Sequence, residues 1–282
     1  MAKQMTLSPT RIKRWVRCRK SYHWRYNWKL VRIRKEVPMT LGLVIGGALA
    51  EYYRLQPSER STVALTSTCL DKVVKSNLPA FDPQGERARE WEKLMITSEL
   101  LLTRYHDWAV EKDNFEVVEV ETSHQVELAS GISLLAIPDT NVVTPEEIPF
   151  ILEHKVRHRY RPGDFGIDYQ SIAACLVSSA IGTLYNVLEY GKVKFHREPI
   201  IRSEQELNYF KDMFIQIGQD ILSTPPEDLY PMPFKRCSCE YWELCNAEMQ
   251  GIDIDDVIRE LYGYTGKAKE EDTPREEKVE ED

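Results

Sequence analysis

The chain has 282 residues, of which 42% are hydrophobic and 29% are charged, and its formal net charge at pH 7 is −8. This length and composition are typical of a soluble globular protein with one large domain or two small ones. The sequence has no run of eighteen apolar residues, and its start lacks the apolar core of a signal peptide. We therefore expect a cytoplasmic protein with no membrane partner.

The charge is distributed unevenly along the chain. Residues 1–35 contain twelve lysines or arginines and no acid, whereas the last sixteen residues contain eight acids and four bases. Because local fields steer polyanions, the basic start favours nucleic acid despite the acidic average. Residues 266–282 have too little apolar content to fold, and we interpret them as a disordered acidic tail.

A basic helix is predicted at the start of the chain, with Ser8 as its N-cap and Pro9 in its first turn. We expect it to continue to about Trp24. Its basic residues, including Arg14 and Arg25, alternate with aromatic residues, and this pairing suits single-stranded nucleic acid. In the alternative interpretation, the basic face is simply solvated and the aromatic rings turn into the core.

Further elements follow in chain order. Helical patterns cover residues 40–53, where small residues share one face, and then residues 63–76 and 85–110. Residues 115–128 alternate as a strand. After the central segment, residues 167–177 and 203–222 are predicted helices, and residues 192–201 are a predicted strand.

Two short apolar segments in the middle of the chain end in acidic residues. Residues 134–139 end at Asp139, and residues 148–156 contain Glu153 and Lys155, which point to one side because strand side chains alternate. Antiparallel pairing through the turn at 144–147 would bring Asp139 and Glu153 to one metal ion. This geometry favours magnesium or manganese and phosphodiester hydrolysis; the alternative is a surface salt bridge. Basic residues follow in the next loop, at Arg157, Arg159 and Arg161.

The cysteines form a second candidate metal site. Cys237, Cys239 and Cys245 lie within nine residues, and in a chain without an export signal they indicate metal ligands rather than disulfides. Candidates for a fourth ligand are Cys18, Cys69 and Cys175. The last two lie in apolar helical patterns, where cysteine is usually a small hydrophobe, whereas the basic helix around Cys18 favours a thiolate.

Taken together, these motifs resemble the RecB-like branch of the PD-(D/E)xK nuclease superfamily, in particular the stand-alone iron-sulfur exonucleases of CRISPR adaptation modules and phages. The resemblance covers about residues 6–250. It rests on the basic opening with Cys18, the helix around Gly42, the Asp139 and Glu153-His154-Lys155 motifs, Gln170, and the closing cysteines.

The resemblance implies an α/β, restriction-endonuclease-like fold: a mixed sheet flanked by helices, with an iron-sulfur cluster joining the N-terminal helix to the C-terminal segment. Residues 1–265 would form a single nuclease domain, and the two ends of the chain a cluster subdomain. A four-iron four-sulfur cluster would bind Cys18, Cys237, Cys239 and Cys245, with zinc as the alternative because the first two C-terminal cysteines are closely spaced.

The resemblance also implies the roles of the active-site residues. Asp139, Glu153 and the backbone carbonyl of His154 would bind Mg or Mn. Lys155 would orient or help deprotonate the attacking water, and Gln170 would hold DNA or the lysine in place. Relatives carry a metal-binding histidine where this chain has Gly46, so Glu51 or Glu121 is expected to substitute, or the ligand is lost. Relatives also have an aromatic residue where this chain has Ala174.

The sequence therefore predicts a metal-dependent DNA exonuclease, with single-stranded DNA as the expected substrate, in recombination, end resection or CRISPR spacer processing. Expected partners are DNA with free ends and recombination or CRISPR adaptation proteins, in a prokaryotic cell or a phage-infected host. The alternative is a non-catalytic DNA-binding or adaptor protein on the same scaffold.

Overall fold

The computed structural model describes residues 4–33, 40–77, 86–231 and 239–265, and the chain divides into two compact units. The first unit comprises Met1–Ile12 and Glu36–Leu222, and the second comprises Lys13–Lys35 and Ser223–Asp282. The predicted acidic tail, residues 266–282, lies outside the described residues. No helix in the described part of the chain is long and apolar enough to cross a membrane.

The described strands form sheets that contain both parallel and antiparallel pairs. In chain order they are β1 (Met5–Leu7), β2 (Leu30–Arg32), β3 (Glu116–Val120), β4 (His124–Ala129), β5 (Ile132–Ala136), β6 (Thr140–Val143), β7 (Pro149–Arg157), β8 (Gly182–Glu189), β9 (Lys194–Ile201) and β10 (Tyr262–Tyr264). In the first unit, a five-stranded sheet has the order β3-β6-β7-β8-β9, and a three-stranded sheet has the order β1-β5-β4. In the larger sheet β7 and β8 are parallel and the other neighbours are antiparallel.

The α-helices are α1 (Pro9–Arg17), α2 (Arg19–Tyr22), α3 (Leu41–Arg54), α4 (Leu70–Asn77), α5 (Glu86–Lys112), α6 (Tyr169–Ser178), α7 (Glu204–Ser223), α8 (Trp242–Met249) and α9 (Ile254–Leu261). Segments His23–Asn27 and Ala64–Cys69 are π-helical. Helix α6 connects the parallel strands β7 and β8, as a parallel pair requires a crossover.

The five-stranded sheet is covered on both faces. Apolar residues of α3 and α5 pack with Val142, Phe150 and Leu152 on one face. On the other face, Ile151 packs against Ala174 and its neighbours in α6. Strand β7 is therefore buried on both sides, which accounts for its continuous apolar run. The α/β class with mixed sheets and flanking helices is confirmed.

Three sequence predictions about local structure were wrong. The N-terminal basic helix is interrupted at Cys18, whose backbone is extended (φ −166°, ψ 109°) and whose Sγ accepts the N–H of Ser21 at 3.4 Å. Residues 115–128 form two strands because the chain turns at Glu121, which has a positive φ of 51°. Asp139 does not end β5; it precedes β6, which is the strand that pairs with β7.

The last of these differences has a simple cause. Pro138 lacks a backbone N–H and interrupts the apolar segment, so β5 ends at Ala136 and joins the three-stranded sheet. The chain then starts β6 at Thr140, opposite Leu152 of β7.

Candidate active site

Strand β7 places Glu153 and Lys155 on one face of the five-stranded sheet. The Glu153 side chain is only 1% exposed, and the Nζ of Lys155 lies 2.7 Å from its Oε1. The other carboxylate oxygen, Oε2, is buried and has no hydrogen-bond partner among the described residues. Because a buried polar atom without a partner is costly, this oxygen is available for a ligand.

Asp139 lies beside Glu153 at the start of β6. Its Oδ2 accepts the backbone N–H of His154 at 2.8 Å, and its own carbonyl accepts the N–H of Glu121 at 3.0 Å. The pairing of Thr140 with Leu152 fixes this position, since the residues just outside the pair are Asp139 and Glu153. The structure thus brings together the two acids that the sequence predicted to meet.

Both acids have pKa values above the ordinary range. Burial and then the charge of Asp139 raise the pKa of Glu153 to about 8, although Lys155 opposes the shift. Burial also raises the pKa of Asp139, against the hydrogen bond from His154 and the charge of Lys155. The site therefore holds more negative charge than its surroundings stabilise, and it favours binding a cation.

The residues at this site fit a hard divalent cation. Asp139 and Glu153 offer carboxylate oxygens, one of which is buried without a partner. The described residues include no cluster of three or more His, Cys, Asp or Glu side chains arranged for a metal. Mg²⁺ commonly binds through one or two carboxylates and keeps several of its waters, so two carboxylates are sufficient.

Lys155 is also held by a residue that the sequence interpretation missed. Its Nζ lies 3.3 Å from Oδ2 of Asp168, the N-cap of α6. The other oxygen of Asp168 accepts the backbone N–H of Gln170 at 3.1 Å. Gln170 thus lies in the first turn of α6 beside the site. An Asp at the start of the predicted helix 167–177 was the available signal, since Asp is a preferred N-cap.

The opposite face of β7 carries a buried polar network. The ring of His154 stacks on Tyr53 of α3, with centroids 5.5 Å apart, and its Nδ1 lies 3.1 Å from the amide nitrogen of Asn186. Asn186 also donates to the hydroxyl of Tyr105 in α5. These contacts tie three elements to the strand whose backbone binds Asp139.

The same network continues to a buried ion pair. The hydroxyl of Tyr53 donates to Asp113 at 2.8 Å and lies 2.7 Å from the hydroxyl of Tyr105. Arg197 of β9 donates to the other oxygen of Asp113 at 2.6 Å. Burial, then the charges of Arg197 and Lys155, lower the pKa of His154 to about 3, so its imidazole is neutral.

Two further candidate metal ligands line a cavity of about 430 Å³ with Asp139 and Gly46. Glu51 and Glu121 are bridged by Arg54, at 2.7 and 2.6 Å respectively, and Lys72 also pairs with Glu51. A Cβ at position 46 would meet nothing within 4 Å, so the space at this glycine is open. A role for either glutamate in metal binding stays a prediction.

The basic loop after β7 is anchored by side chains of β9 and its end. Glu198 accepts the hydroxyl of Tyr160 at 2.8 Å and the N–H of Gly163 at 2.9 Å. The buried Arg202 donates to the carbonyl of Gly166 at 2.7 Å. Three predicted DNA contacts are exposed, with Arg157 at the end of β7 and Arg159 and Arg161 in this loop. The loop therefore presents its positive charges on an ordered backbone.

The predicted contacts in the second unit are engaged within it. Arg14 pairs with Glu240 at 2.9 Å, and Arg25 is half-buried beside Tyr241. The rings of Tyr22 and Trp24 are buried, which supports the interpretation that they belong to a core. They are not available to stack on bases.

The cysteine prediction is covered in part by the described residues. Cys239 and Cys245 lie in the apolar cluster of the second unit that also contains Trp24, and Cys18 caps α2 in the same unit. Cys237 lies outside the described residues. Cys69 and Cys175 are buried in apolar clusters of the first unit, and burial raises the pKa of each thiol. They are core residues.

A sheet strand that carries Glu153 and Lys155 beside Asp139, in a fold of this class, is the arrangement of a nuclease. The chain matches the model of the PD-(D/E)XK nuclease superfamily over residues 6–246. It belongs to this superfamily.

A solved structure from Eubacterium rectale has a similar fold. A crystal structure described as "Putative exonuclease" from Eubacterium rectale is 13% identical, with a TM-score of 0.53, and the match covers 86% of this chain and 87% of that one. A second, described as SSO0001, is 11% identical over 88% and 86% of the two chains, with a TM-score of 0.37. No curated protein matches this sequence.

Proposed function

We propose that this protein is a divalent-metal-dependent deoxyribonuclease that hydrolyses phosphodiester bonds at DNA ends, with single-stranded DNA as its substrate. One observation carries the proposal. Glu153 is buried, one of its oxygens accepts a hydrogen bond from Lys155, and the other has no hydrogen-bond partner among the described residues. Asp139 lies beside it. Such a site is poorly stable without a cation and is suited to binding one.

Asp139 and Glu153 would hold the metal, with the carbonyl of His154 as a proposed further ligand. When bound, Mg²⁺ or Mn²⁺ supplies an activated water and shields the negative charge that develops on the phosphate. The protein's own contribution is orientation. The N–H of His154 fixes the carboxylate of Asp139, and the network behind β7 fixes the backbone of His154.

Lys155 contributes charge rather than proton abstraction. Burial lowers its pKa, but the charges of Glu153 and Asp168 outweigh burial and raise it. The ammonium therefore stays protonated and can stabilise the extra negative charge at the phosphorus in the transition state. Three exposed arginines at the end of β7 and in the following loop are proposed to bind the DNA backbone on either side of that phosphate: Arg157, Arg159 and Arg161.

The action at DNA ends rests on the resemblance to RecB-like exonucleases, and a structural neighbour with this fold is itself described as a "Putative exonuclease". The test is the cleavage of labelled single-stranded DNA, linear and circular, with Mn²⁺, Mg²⁺ or EDTA. We expect metal-dependent loss of linear DNA only. Lys155→Ala should abolish cleavage, while Lys112→Ala, at an exposed position at the end of α5, should leave it unchanged.

Other outcomes lead to different conclusions. Cleavage of the circular substrate would replace the end-dependent mode with an endonucleolytic one. Salt-dependent DNA binding without cleavage by any metal would favour the non-catalytic adaptor on the same scaffold.

We also propose an iron-sulfur cluster in the second unit, with zinc as the alternative. The support is that Cys18, Cys239 and Cys245 all lie in this unit, where chain ends are joined by the ion pairs Arg32–Glu243 at 2.8 Å and Lys20–Glu248 at 2.6 Å. The described cysteines alone do not form a three-ligand group. Iron, zinc and sulfide analysis of anaerobically purified protein tests the cluster, and absence of all three would refute it.

A further inference from the structure

The ammonium of Lys155 lies between two carboxylates that differ in what else they bind. Glu153, at 2.7 Å, also has the oxygen without a partner that is suited to a metal. Asp168, at 3.3 Å, comes from α6. The side chains of Lys155 and Asp168 are both mostly buried, at 14% and 13% exposed, so water weakens their attraction less than at the surface.

Asp168 is itself held firmly in place. Its Oδ1 accepts the N–H of Gln170 at 3.1 Å, and its carbonyl accepts the N–H of Ile172 at 3.0 Å and the hydroxyl of Ser171 at 3.2 Å. Ser171 in turn accepts the hydroxyl of Tyr185 at 2.6 Å. Its remaining oxygen, Oδ2, is thereby directed at Lys155.

Tyr185 contacts both the residues that hold Asp168 and the lysine, since its hydroxyl bonds Ser171 and its ring lies near the Lys155 ammonium. Its ring centroid lies 6.0 Å from the Nζ of Lys155, and the ring stacks on Phe165, with centroids 4.4 Å apart. The ammonium is therefore surrounded by two carboxylates and an aromatic face. Of the two carboxylates, only Asp168 belongs to no proposed metal-ligand set.

We propose that Asp168 is a positioning residue, which keeps the Lys155 ammonium directed into the active site when the charge of Glu153 is shared with a metal. This inference rests on the proposed nuclease function and deepens it. A cation at Glu153 repels the ammonium, and a fixed second carboxylate offsets that repulsion. The N-cap of α6 thus has a second role, and Gln170 is not required to hold the lysine.

Asp168→Asn is the decisive variant. Asn is as good an N-cap as Asp, so the variant keeps the helix start and loses only the charge. The matched control is Asp253→Asn, which makes the same change at the N-cap of α9 in the other unit. If Asp168→Asn unfolds, Asp168→Ser serves instead, because Ser also caps helices.

Two readouts separate positioning from stability. By analogy with supporting residues at metal sites, we expect kcat on linear DNA to fall by about 10–100-fold in Asp168→Asn. KM should change little, and Asp253→Asn should behave as the wild type. In metal-free protein, the ¹⁵N–¹H NMR signal of the Lys155 ammonium, assigned by its loss in Lys155→Met, should broaden or disappear in Asp168→Asn only.

An unchanged kcat in a folded Asp168→Asn variant would overturn the proposal, as would an effect on KM alone or an equal loss in Asp253→Asn. If the wild type cleaves no DNA with any metal, the proposed nuclease function fails instead. The ammonium signal then still decides the contact: its persistence in Asp168→Asn would overturn the role of Asp168, and its loss would support it.

Discussion

Replacing Glu153 with glutamine tests the electrostatics of the site without any substrate. Burial and then Asp139 raise the pKa of Glu153 from 4.5 to about 8. Since the folded protein then binds this proton more tightly than the unfolded chain, the stability that it contributes is complete below pH 4.5. It is lost as the pH rises through 8. Glutamine cannot titrate, so the variant lacks this loss.

The size of the effect follows from the shift. One pKa unit corresponds to about 1.4 kcal/mol, so for a shift from 4.5 to about 8 the free energy of unfolding of the metal-free wild type should fall by about 5 kcal/mol relative to Glu153→Gln. The measurement is urea unfolding, followed by tryptophan fluorescence, below pH 4.5 and above pH 8. Glu111→Gln, at an exposed position on α5, is the control and should follow the wild type.

Metal addition should offset part of this difference in stability between the wild type and Glu153→Gln. At one hundred times its Kd, Mn²⁺ should stabilise the wild type by about 2.7 kcal/mol, because it binds only the folded site. Glu153→Gln should gain much less. Parallel pH profiles of the wild type and Glu153→Gln, or equal stabilisation of both by Mn²⁺, would refute the account of a strained carboxylate that a cation relieves.

Three further predictions concern the scaffold. Arg197→Met leaves Asp113 buried without its ion pair and should lower the free energy of unfolding by about 3–5 kcal/mol in urea titrations; a loss below about 1 kcal/mol would contradict this. Burial and neighbouring cations lower the pKa of His154 to about 3, so below pH 6.5 the unfolded chain binds a proton that the folded protein does not. The wild type should therefore lose stability as the pH falls from 6.5, and His154→Gln should show a smaller dependence on pH in the same assay. Gly182→Ala places a Cβ against the backbone of β9 and should destabilise the folded protein by roughly 1–3 kcal/mol. Gly46 lies in α3 with open space around it, so Gly46→Ala should stabilise the protein by about 0.5–1 kcal/mol. Thermal unfolding measures both effects.

The central strand was predictable from the sequence because its signals are local. The apolar run before Glu153 indicated a buried strand, and strand alternation placed Lys155 on the same side as Glu153. The turn at 144–147 correctly indicated an antiparallel partner just before it, but the predicted partner was the segment ending at Asp139, whereas the strand that pairs is β6, which follows Asp139. The assignment of Asp139 to the end of β5 failed because two short apolar runs separated by Pro138 do not show which sheet each will join.

Contacts between distant parts of the chain were not accessible from the pattern. Asp168 is thirteen positions from Lys155, and only the crossover through α6 brings the two side chains together. The hydrogen-bond network around His154 contains residues of α3, α5, β8 and β9. No repeating pattern in the sequence predicts that these residues are in contact. At Cys18 the residue type suggested a metal ligand, which stays a prediction; the sequence did not show that its sulfur also caps a helix.

The most direct test of the active site is the position of the metal. Anomalous diffraction from crystals grown with Mn²⁺ locates the ion independently of activity. We predict a manganese ion bound by Asp139 and by the buried oxygen of Glu153, with the Lys155 ammonium still paired with Asp168. A peak between Glu51 and Glu121 alone, or no peak near β7, would contradict the assignment of this strand as the metal-binding centre.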